Sequence, residues 1–393
     1  MPLEETVRFE DLIKPIKLDY FFDQYWEKQP FCGSSGRKDT FTPLISLSGV
    51  ERIISSLTST DPDWIQVRKA GAPVLSPETY STKRGFPDLA KIFDFFRTGY
   101  SITLSKLHKQ CPPIGALCRN VEATMTQLGF VLSDRVGSHL YLTPNGSQAV
   151  LPHYDNLNVI AIQVEGVKNW RLYDMLEPFP VERQESVTPN EDLPSLLCEK
   201  KVEAGQVLYI PRGFYHEASA GAEYSMHVTL DIYTRTWADL VSKIAFGAPQ
   251  MRRSLQFSDA SRLNGQFTTL LQSLNSVDPH PIADRLVENL IEGLDPLPAS
   301  GFDQIHRLTS VSLLSKVRRR TGAFPYLFSR GDQLHLLFPG GGFRGPTQIE
   351  AVFRFLCEAT CFCVQELPVL ADDSKIYIVT ELIRDGFLSI VDP

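Results

Sequence analysis

The segment "LPHYDNLNVIAIQVEGVKNWRLYDM", residues 151–175, carries most of the information about the fold and the site. His153 and Asp155 stand two residues apart before an apolar run, and Lys168 follows near its end. Side chains two residues apart on a strand point to the same face. An imidazole and a carboxylate aimed at one point supply two ligands of a facial triad, which needs one more histidine and leaves positions for substrate and O₂. In a chain with eight histidines such a pair also arises by chance.

Residues 136–235 predict a β-rich core. Short segments rich in Val, Ile, Leu and Tyr are separated by Pro and Gly turns: "SHLYLTP", "LNVIAIQV", "NWRLYDM", "GQVLYIPRG" and "MHVTLDIYT". Short strands with turn signals between them are typical of an antiparallel sandwich or barrel. We therefore expect a jelly roll, in which strands distant in sequence face each other.

The third ligand is predicted to be His216, in "GQVLYIPRGFYHEA". This stretch predicts a Gly turn, a short strand, a Pro-x-Gly turn and then the histidine. A spacing of about sixty residues from the first pair suits two strands that face each other across a jelly roll. The alternative is a histidine that only caps a turn.

Lys168 is predicted to bind an anion. The segment around it indicates a strand, a Glu-Gly turn and a second strand that returns beside the first, with Lys168 or Trp170 towards the interior. A buried cation without a partner is costly, so an interior lysine needs an anion. The distal carboxylate of 2-oxoglutarate would serve, with Arg171 and Arg212 as the next candidates to hold it. The alternative is a solvated lysine in a turn.

The flanking regions predict further elements. Residues 1–30 indicate a leading helix that stops at Pro30, and 237–294 turn helical, with one apolar face in "IADRLVENLIEGL". The segment "DPLPASGFD", residues 295–303, is typical of a linker. After it we expect two helices followed by short strands, a small domain of winged-helix type. The predicted domains are a β-rich domain with its N-terminal extension (1–235), a helical region (236–300) and a C-terminal domain (301–393).

Composition excludes several classes of protein. A net charge of −7 argues against a general nucleic-acid-binding surface, so DNA binding by the C-terminal domain is not expected despite the basic run "SKVRRRTG" (315–322). No apolar run reaches the length of a membrane helix, and the start of the chain has no apolar signal segment. The seven cysteines have scattered spacing, which indicates free thiols in a reducing compartment and a cytoplasmic location.

The chain resembles the ribosomal oxygenases, a subfamily of the JmjC and cupin-type 2-oxoglutarate oxygenases. The segments that carry the resemblance occur in family order along nearly the whole chain: "FFDQYWEKQPF", "YLTPNGSQAVLPHYD", "QVEGVKNWRLY", "GQVLYIPRGFYHEA", "SMHVTLDIYTRTWADL" and "ELIRDGFLSIVD".

This resemblance implies a mainly β core, a double-stranded β-helix, with a helical dimerisation region and a C-terminal winged helix, α+β overall. It implies Fe(II) as cofactor, with 2-oxoglutarate and O₂ as co-substrates. The matching positions give His153, Asp155 and His216 as iron ligands, the catalytic set, and Lys168 as the lysine that binds 2-oxoglutarate. Tyr141 and Thr229 fall on positions that line the co-substrate pocket.

Four positions depart from the family pattern. Asn156 replaces a second aspartate after the motif tyrosine, and His139 replaces a smaller polar residue. Asp231 stands where histidine-hydroxylating relatives carry a serine, and Gly146 where arginine-hydroxylating relatives carry an acid. Asp231, Asn156 and His139 are therefore the candidate substrate residues. Asp231, two residues after Thr229, is expected either to meet an Arg, Lys or His target or to pair internally with an arginine such as Arg212 or Arg235.

The expected function is Fe(II)- and 2-oxoglutarate-dependent hydroxylation of a side chain in a protein, such as a ribosomal protein. One alternative is the same chemistry on a ribosomally made precursor peptide, motivated by Asp231 and Asn156. Another is a cupin-type binding protein without enzymatic activity, against which the intact ligand set argues. The wide apolar face within residues 237–294 predicts a homodimer.

Overall fold

The computed structural model describes residues 7–181, 193–254, 260–275, 277–294, 304 and 306–391. The chain divides into two compact units. The first contains the chain up to Thr124 and Val136–Tyr233, and the second contains Met125–Arg135 and everything from Thr234 onward. The linker predicted at residues 295–303, and with it the predicted domain boundary at 300, lies outside the described residues.

The first unit is built on a mainly antiparallel eight-stranded sheet, which confirms the predicted β core. Its strands follow the order β1-β7-β5-β8-β4-β3-β2, and β6 pairs with β5. In the strand Ile65–Arg68 alternate residues are buried, because side chains alternate between the two faces of a strand. The strands are β1 (Phe31–Ser34), β2 (Ile65–Arg68), β3 (Ser101–Leu104), β4 (Gly137–Thr143), β5 (Asn158–Met175), β6 (Leu196–Glu203), β7 (Gln206–Ile210) and β8 (Phe214–Ile232).

The predicted Glu-Gly turn inside β5 is wrong. The strand continues through Gly166 and stays paired with β8 along its length, with register shifts on both sides of that glycine. Gly166 has φ +68°, and a Cβ there would lie 2.0 Å from the carbonyl oxygen of Tyr224. Bulges bend a strand without ending its ladder, so a glycine that resembles a turn in the sequence is a bend in the structure.

The predicted turn before His216 is confirmed. β7 ends at Ile210, and Gly213, with φ +88°, precedes β8 at Phe214. Several apolar side chains of the neighbouring strands pack together on one side of this region, and they form a core cluster of Val159, Ala161, Trp170, Leu172, Val202, Leu208, Ile210 and Phe214.

The predicted leading helix is two short helices, α1 (Phe9–Leu12) and α2 (Leu18–Gln24). Pro15 lies between them, and a proline lacks the N–H that a continuous helix would use. The other helices of this part of the chain are α3 (Leu47–Ser56), α4 (Leu89–Arg97) and α5 (Pro112–Gln127), whose last residues belong to the second unit.

From Thr234 onward, the second unit begins with three helices in the region that is predicted to be helical. They are α6 (Trp237–Gly247), α7 (Ala260–Asn275) and α8 (His280–Gly293). In α8 the predicted apolar face is buried at Leu286, Val287, Leu290 and Ile291.

Within residues 306–391 the order of the elements differs from the prediction, because four strands come before the two α-helices. The elements are β9 (Lys316–Arg319), β10 (Tyr326–Arg330), β11 (Gln333–Phe338), β12 (Gly341–Pro346), α9 (Glu350–Glu358), β13 (Cys361–Cys363), α10 (Asp372–Arg384) and β14 (Leu388–Ile390). They form two three-stranded sheets, β10-β11-β12 and β13-β9-β14, around one apolar core. The strand β9 is not predicted from the sequence, because it lies within the charged run of residues 315–322. Its Val317 is fully buried.

Two arginines of the basic run donate hydrogen bonds to carbonyl oxygens near the C-terminal ends of helices. Arg319 donates to the carbonyl oxygen of Cys357 at 2.7 Å, at the end of α9. Arg320 donates to the carbonyl oxygen of Gly386 at 3.4 Å, just after α10. Cations near the exposed carbonyls of a helix C-terminus stabilise it. This run therefore contributes to folding, which leaves less of it free to meet a polyanion.

All seven cysteines are free thiols, as predicted. Among the described residues, no helix combines the length and the apolar character needed to cross a bilayer.

Candidate metal and anion site

His153 and His216 are joined through their backbones. The His153 N–H donates to the carbonyl of His216 at 3.1 Å, and the His216 N–H donates back at 2.8 Å. Asp155 follows in a loop, where its carbonyl accepts from the N–H of Gly213 at 2.9 Å. The expectation that His153 and Asp155 share a regular strand is wrong, because His153 forms an isolated bridge and Asp155 lies beyond it. The bridge brings the third ligand candidate directly opposite the first.

The three side chains form one donor cluster. Asp155 Oδ1 lies 3.6 Å from His153 Nε2, and Asp155 Oδ2 lies 3.6 Å from His216 Nε2. One ligand atom from each residue lies within 4.8 Å of the others, and no other such group of three occurs in the described part of the chain. Two imidazoles and one carboxylate around a common point are the donor set of a facial triad.

The tautomers of both histidines suit a metal. Nδ1 of His153 lies 2.9 Å from the carbonyl of Leu151, and Nδ1 of His216 lies 3.0 Å from that of Phe214. A carbonyl oxygen only accepts, so both Nδ1 atoms carry hydrogen and both Nε2 atoms present a lone pair. Burial, together with the nearby His153, lowers the pKa of His216 to about 4, which keeps this ring neutral and able to bind a cation.

Lys168 is buried, whereas the alternative interpretation of the sequence places it in a solvated turn. It is 1% exposed, and no other lysine or arginine of the described chain is buried to this degree. Its Nζ donates to Thr143 Oγ1 at 2.9 Å, and no carboxylate lies within ion-pair distance among the described residues. Burial lowers its pKa to about 7. An ammonium with one neutral acceptor retains two free N–H donors for an anion.

Tyr141 and His227 form a flat wall beside this lysine. Their rings stack at 4.9 Å with an interplanar angle of 4°. Burial raises the pKa of Tyr141 to about 12, so its hydroxyl stays protonated at neutral pH. Its oxygen lies 3.4 Å from Nη2 of Arg68, which donates to it.

The candidate substrate residues occupy different positions. His139 Nε2 lies 2.8 Å from Asp231 Oδ2, so these two form a pair. Asn156 is half-buried and is not among the described residues that line the cavity. Gly146 lies in the turn after β4 with φ +61°, where its N–H donates to the carbonyl of Gly221.

Asp231 therefore pairs internally, but with neither of the expected arginines. Arg212 binds Glu27 at 2.8 Å, and Arg235 lies 3.6 Å from Asp239. Arg171, an alternative anion ligand in the sequence analysis, is exposed and pairs with Glu199 at 2.8 Å. Among the described lysines and arginines, Lys168 is the one that lines the cavity.

The metal-ligand cluster, Lys168 and the His139–Asp231 pair line one cavity of about 250 Å³. This is near the lower end for ligand pockets, roughly 300 Å³, and suits a small molecule. Its lining includes the ligand cluster, Lys168 and Thr229, and the full set is His139, Tyr141, Ala149, Val150, His153, Asp155, Leu157, Val159, Lys168, Trp170, His216, Glu217, Ala218, His227, Thr229, Asp231 and Tyr233.

Sequence reasoning missed Thr143 and His227. Thr143 holds the lysine, and it follows Tyr141 by two residues on β4, so the period-two rule would have placed both on one face. His227 stands two residues before Thr229, and the same rule applies to it.

A family model for the JmjC domain matches residues 119–240. This part of the chain is therefore similar to a JmjC domain. The chain is 32% identical over 239 residues to ribosomal oxygenase 2 of Rattus norvegicus, covering 59% of this chain and 48% of the relative. It is 28% identical over 431 residues to the bifunctional lysine-specific demethylase and histidyl-hydroxylase NO66 of Dictyostelium discoideum, covering 96% and 81%. The resemblance to ribosomal oxygenases is thereby confirmed.

The chain spans between about a quarter and a half of the length of the first curated relatives it matches. Among solved structures, Escherichia coli YcfD, a ribosomal oxygenase in complex with cobalt and 2-oxoglutarate, aligns with a TM-score of 0.56 at 16% identity. The alignment covers 96% of this chain and 99% of that one. This similarity supports the fold.

Proposed function

We propose that this chain is an Fe(II)- and 2-oxoglutarate-dependent dioxygenase that hydroxylates a side chain of a protein. The observation that carries the proposal is the content of one cavity: a His–Asp–His donor cluster and a buried lysine without an acid partner. Curated relatives named ribosomal oxygenase and histidyl-hydroxylase support the reaction class and a protein substrate.

His153, Asp155 and His216 would hold the iron. Their ligand atoms are already grouped, and the backbone bridge and the two Nδ1 hydrogen bonds orient the rings before any metal enters. Three protein ligands leave positions for the co-substrates. When bound, Fe(II) supplies, with 2-oxoglutarate and O₂, the oxidative chemistry that replaces a C–H bond by C–OH.

Lys168 would bind the distal carboxylate of 2-oxoglutarate. The ammonium is buried and unneutralised, and a charge-assisted hydrogen bond there contributes more than in water. Thr143 orients Nζ, and the protonated hydroxyl of Tyr141 is a second donor on the same cavity wall. Thr229 lines the cavity from β8, which suits the same role.

The proposal is tested by anaerobic binding followed by turnover. Fe(II) and 2-oxoglutarate are expected to bind with one equivalent each, and exposure to O₂ is expected to give succinate and CO₂. Asp155→Ala should abolish turnover, and Asp174→Ala, which removes an exposed acid on β5, is the matched control. Absence of binding and turnover in the parent protein would favour the cupin-type binding protein instead.

The substrate is identified by mass spectrometry of partner proteins. Proteins treated with the parent enzyme should show a gain of one oxygen that is missing after treatment with Asp155→Ala. A modified ribosomal protein supports the proposal, whereas a modified short precursor peptide identifies the tailoring hydroxylase as the correct alternative.

We also propose a homodimer formed through the helices of residues 237–294. Helix α6 has no buried residue, and its Trp237 and Phe246 are 82% and 73% exposed. Phe267 and Leu271, one turn apart on α7, are exposed as well. A largely apolar helix with no buried side chain needs a cover, and a second copy supplies an identical one.

Sedimentation at micromolar concentration is expected to show a dimer. Trp237→Glu should shift it towards monomer, and Tyr377→Glu, at an exposed aromatic on α10, should leave it unchanged. A monomeric parent protein would contradict the proposal.

For the rest of the chain we propose a protein-docking role of the C-terminal elements and a cytoplasmic location. The helix-end contacts of Arg319 and Arg320 argue against DNA as the partner, because they occupy part of the basic run of residues 315–322. The seven free cysteines support a reducing compartment.

A further inference from the structure

One face of a C-terminal sheet carries two cysteines and two cations. In the sheet β13-β9-β14, β13 is an edge strand and β9 is the central strand. Cys361 lies directly opposite Arg318, and Cys363 lies directly opposite Lys316. Directly opposite residues of antiparallel strands point to the same side of the sheet, with Cβ atoms about 5 Å apart. Each of the two thiols is therefore matched with a cation on the neighbouring strand.

These four side chains lie on the solvent side of the sheet. Between them, Phe362 of β13 and Val317 of β9 face each other and belong to the apolar core. Side chains alternate along a strand, so the flanking positions point away from that core. Cys363 is half-buried, and the other three side chains are exposed. The pairs are therefore accessible to a dissolved reagent.

The two cations of this face are not neutralised within the described chain. The arginines that follow in the basic run, Arg319 and Arg320, donate to carbonyl oxygens near helix ends. Lys316 and Arg318, in contrast, make no side-chain hydrogen bond or ion pair among the described residues. Their charges remain available to an anion that approaches the thiols.

The two thiols differ in their surroundings. The sulfur of Cys363 accepts from the backbone N–H of Glu366, and the carboxylate of Glu366 accepts from the N–H of Cys363 at 2.7 Å. Cys363 is therefore engaged and has an acid beside it. Cys361 is exposed and has no such contact in the described part of the chain. Cys361 is thus the more accessible nucleophile, and a cation lies opposite it.

Cys32 provides an internal comparison, because it is the other exposed cysteine. It lies opposite Leu208 on β7 and not opposite a cation. Desolvation of its sulfur raises the pKa of Cys32, despite the nearby Lys200. The thiolate is the form that attacks a disulfide. Exposure ranks Cys32 and Cys361 alike, whereas the two cross-strand cations favour Cys361 when the reagent is an anion.

We infer that Cys361 is a site of reversible thiol modification by a disulfide that carries carboxylates, such as glutathione disulfide. The proton of the Cys361 thiol goes to solvent, and the thiolate attacks one sulfur of the disulfide. A new S–S bond forms, the old one breaks, and the other half leaves as a thiolate with the bonding electron pair. The cysteine is oxidised and the departing half is reduced. Arg318 and Lys316 attract the carboxylates of the reagent and of the half that stays bound.

The test compares two disulfides of opposite charge on the whole reduced protein. Glutathione disulfide has a net negative charge at neutral pH, and cystamine has a net positive one. Tandem mass spectrometry locates each mixed disulfide and gives its rate of formation. The ratio of the glutathione disulfide rate to the cystamine rate is expected to be about fivefold higher at Cys361 than at Cys32, the scale of one unit charge about 4 Å away in water.

Salt provides a check that needs no variant. At about 1 M salt most of the difference between the two cysteines should disappear, because exposed charges are then screened. Equal rate ratios at Cys361 and Cys32 at low salt, or faster reaction of glutathione disulfide with Cys32, overturn the inference. Neither result bears on the metal cluster or on the proposed reaction, because the probes act on the protein without iron or 2-oxoglutarate.

Variants of the exposed cations identify the cause. Arg318→Gln should lower the rate of glutathione disulfide at Cys361 by roughly fivefold and raise that of cystamine, and Lys316→Gln should act in the same direction by less. Arg84→Gln removes an exposed arginine of the first compact unit and is the matched control. Unchanged rates in Arg318→Gln overturn the inference.

Variants of the two cysteines identify the reacting sulfur. Cys361→Ser should remove the mixed disulfide from β13, and Cys363→Ser should retain it. Loss of the modification in Cys363→Ser, with retention in Cys361→Ser, would assign the reaction to the wrong thiol and overturn the inference. Thermal unfolding of each variant checks that the sheet is intact.

Discussion

Lys168 and Asp231 are two buried charged residues that line one cavity, and their partners differ. Lys168 has a hydroxyl as its partner and no acid within reach among the described residues, whereas Asp231 is matched by His139 at 2.8 Å. Burial lowers the pKa of the lysine to about 7. An uncompensated charge in a protein interior is expensive and is retained where a ligand completes it. The contrast indicates that the lysine end can accept an anion, whereas the carboxylate of Asp231 already has a hydrogen-bonded partner in the chain.

The largest expected effect concerns Asp155 of the candidate metal-ligand cluster. Asp155→Ala removes the carboxylate that lies 3.6 Å from both histidine Nε2 atoms, so Fe(II) affinity should fall by more than about a hundredfold, beyond the effect of losing an outer hydrogen bond. The fold should persist, because Asp155 lies in a loop and is part-exposed. Anaerobic Fe(II) titration and thermal unfolding measure the two quantities. Unchanged iron affinity would remove the basis for the metal site.

Lys168→Ala should weaken 2-oxoglutarate binding by about ten- to a hundredfold, the scale of one charge-assisted hydrogen bond, and leave Fe(II) binding nearly unchanged. Isothermal titration with each ligand separates the effects, and Lys200→Ala, on β6, is an exposed-lysine control. In the protein without ligands, Lys168→Met should raise the free energy of unfolding by roughly 1–3 kcal/mol, because it removes a poorly paired buried cation. Destabilisation by Lys168→Met would mean that the charge has a partner inside the folded chain.

The affinity for 2-oxoglutarate should depend on pH through Lys168. Its pKa is about 7 in the free protein, and a bound carboxylate raises it, so both states are charged below pH 7 and the affinity is constant there. Above pH 7 binding requires the uptake of a proton, and the affinity should fall by up to about tenfold per pH unit until the pKa of the complex is reached. Lys168→Arg, whose guanidinium stays charged, should flatten the profile. A flat profile in the parent protein would contradict a depressed pKa.

The smallest effect is expected at the His139–Asp231 pair. Asp231→Ser and His139→Gln should each lower the free energy of unfolding by about 1–3 kcal/mol, and the double variant should lose less than their sum, since removing one partner already breaks the pair. A double-mutant cycle in denaturant measures the coupling. Additive losses would show that the two side chains do not interact in solution.

Once a substrate is known, Asp231→Ser also tests the role of this acid in target choice. Undiminished hydroxylation by the variant would make Asp231 structural, and a loss confined to one class of target side chain would assign it to recognition.

Much of the site could be predicted from the sequence. The spacing of His153 and Asp155 and the Pro-x-Gly turn before His216 identified the three metal-ligand candidates, and the β-rich segments predicted the sheet. These features are local, because turns and alternation are set by residues a few positions apart. The sequence predicts a turn at Gly166, whereas the structure has a bend within β5, because both features use a glycine with positive φ.

The sequence by itself therefore determined the β core, the three candidate metal-ligand residues and the presence of a lysine near the end of the motif strand. Only the tertiary structure decided the partners across strands: the backbone bridge between His153 and His216, Thr143 beneath Lys168, and His139 against Asp231. The physical reason is strand register. Alternation tells which face a side chain takes, but a partner on another strand depends on how the two strands are aligned, and this alignment is set by bulges, turns and packing along the whole sheet.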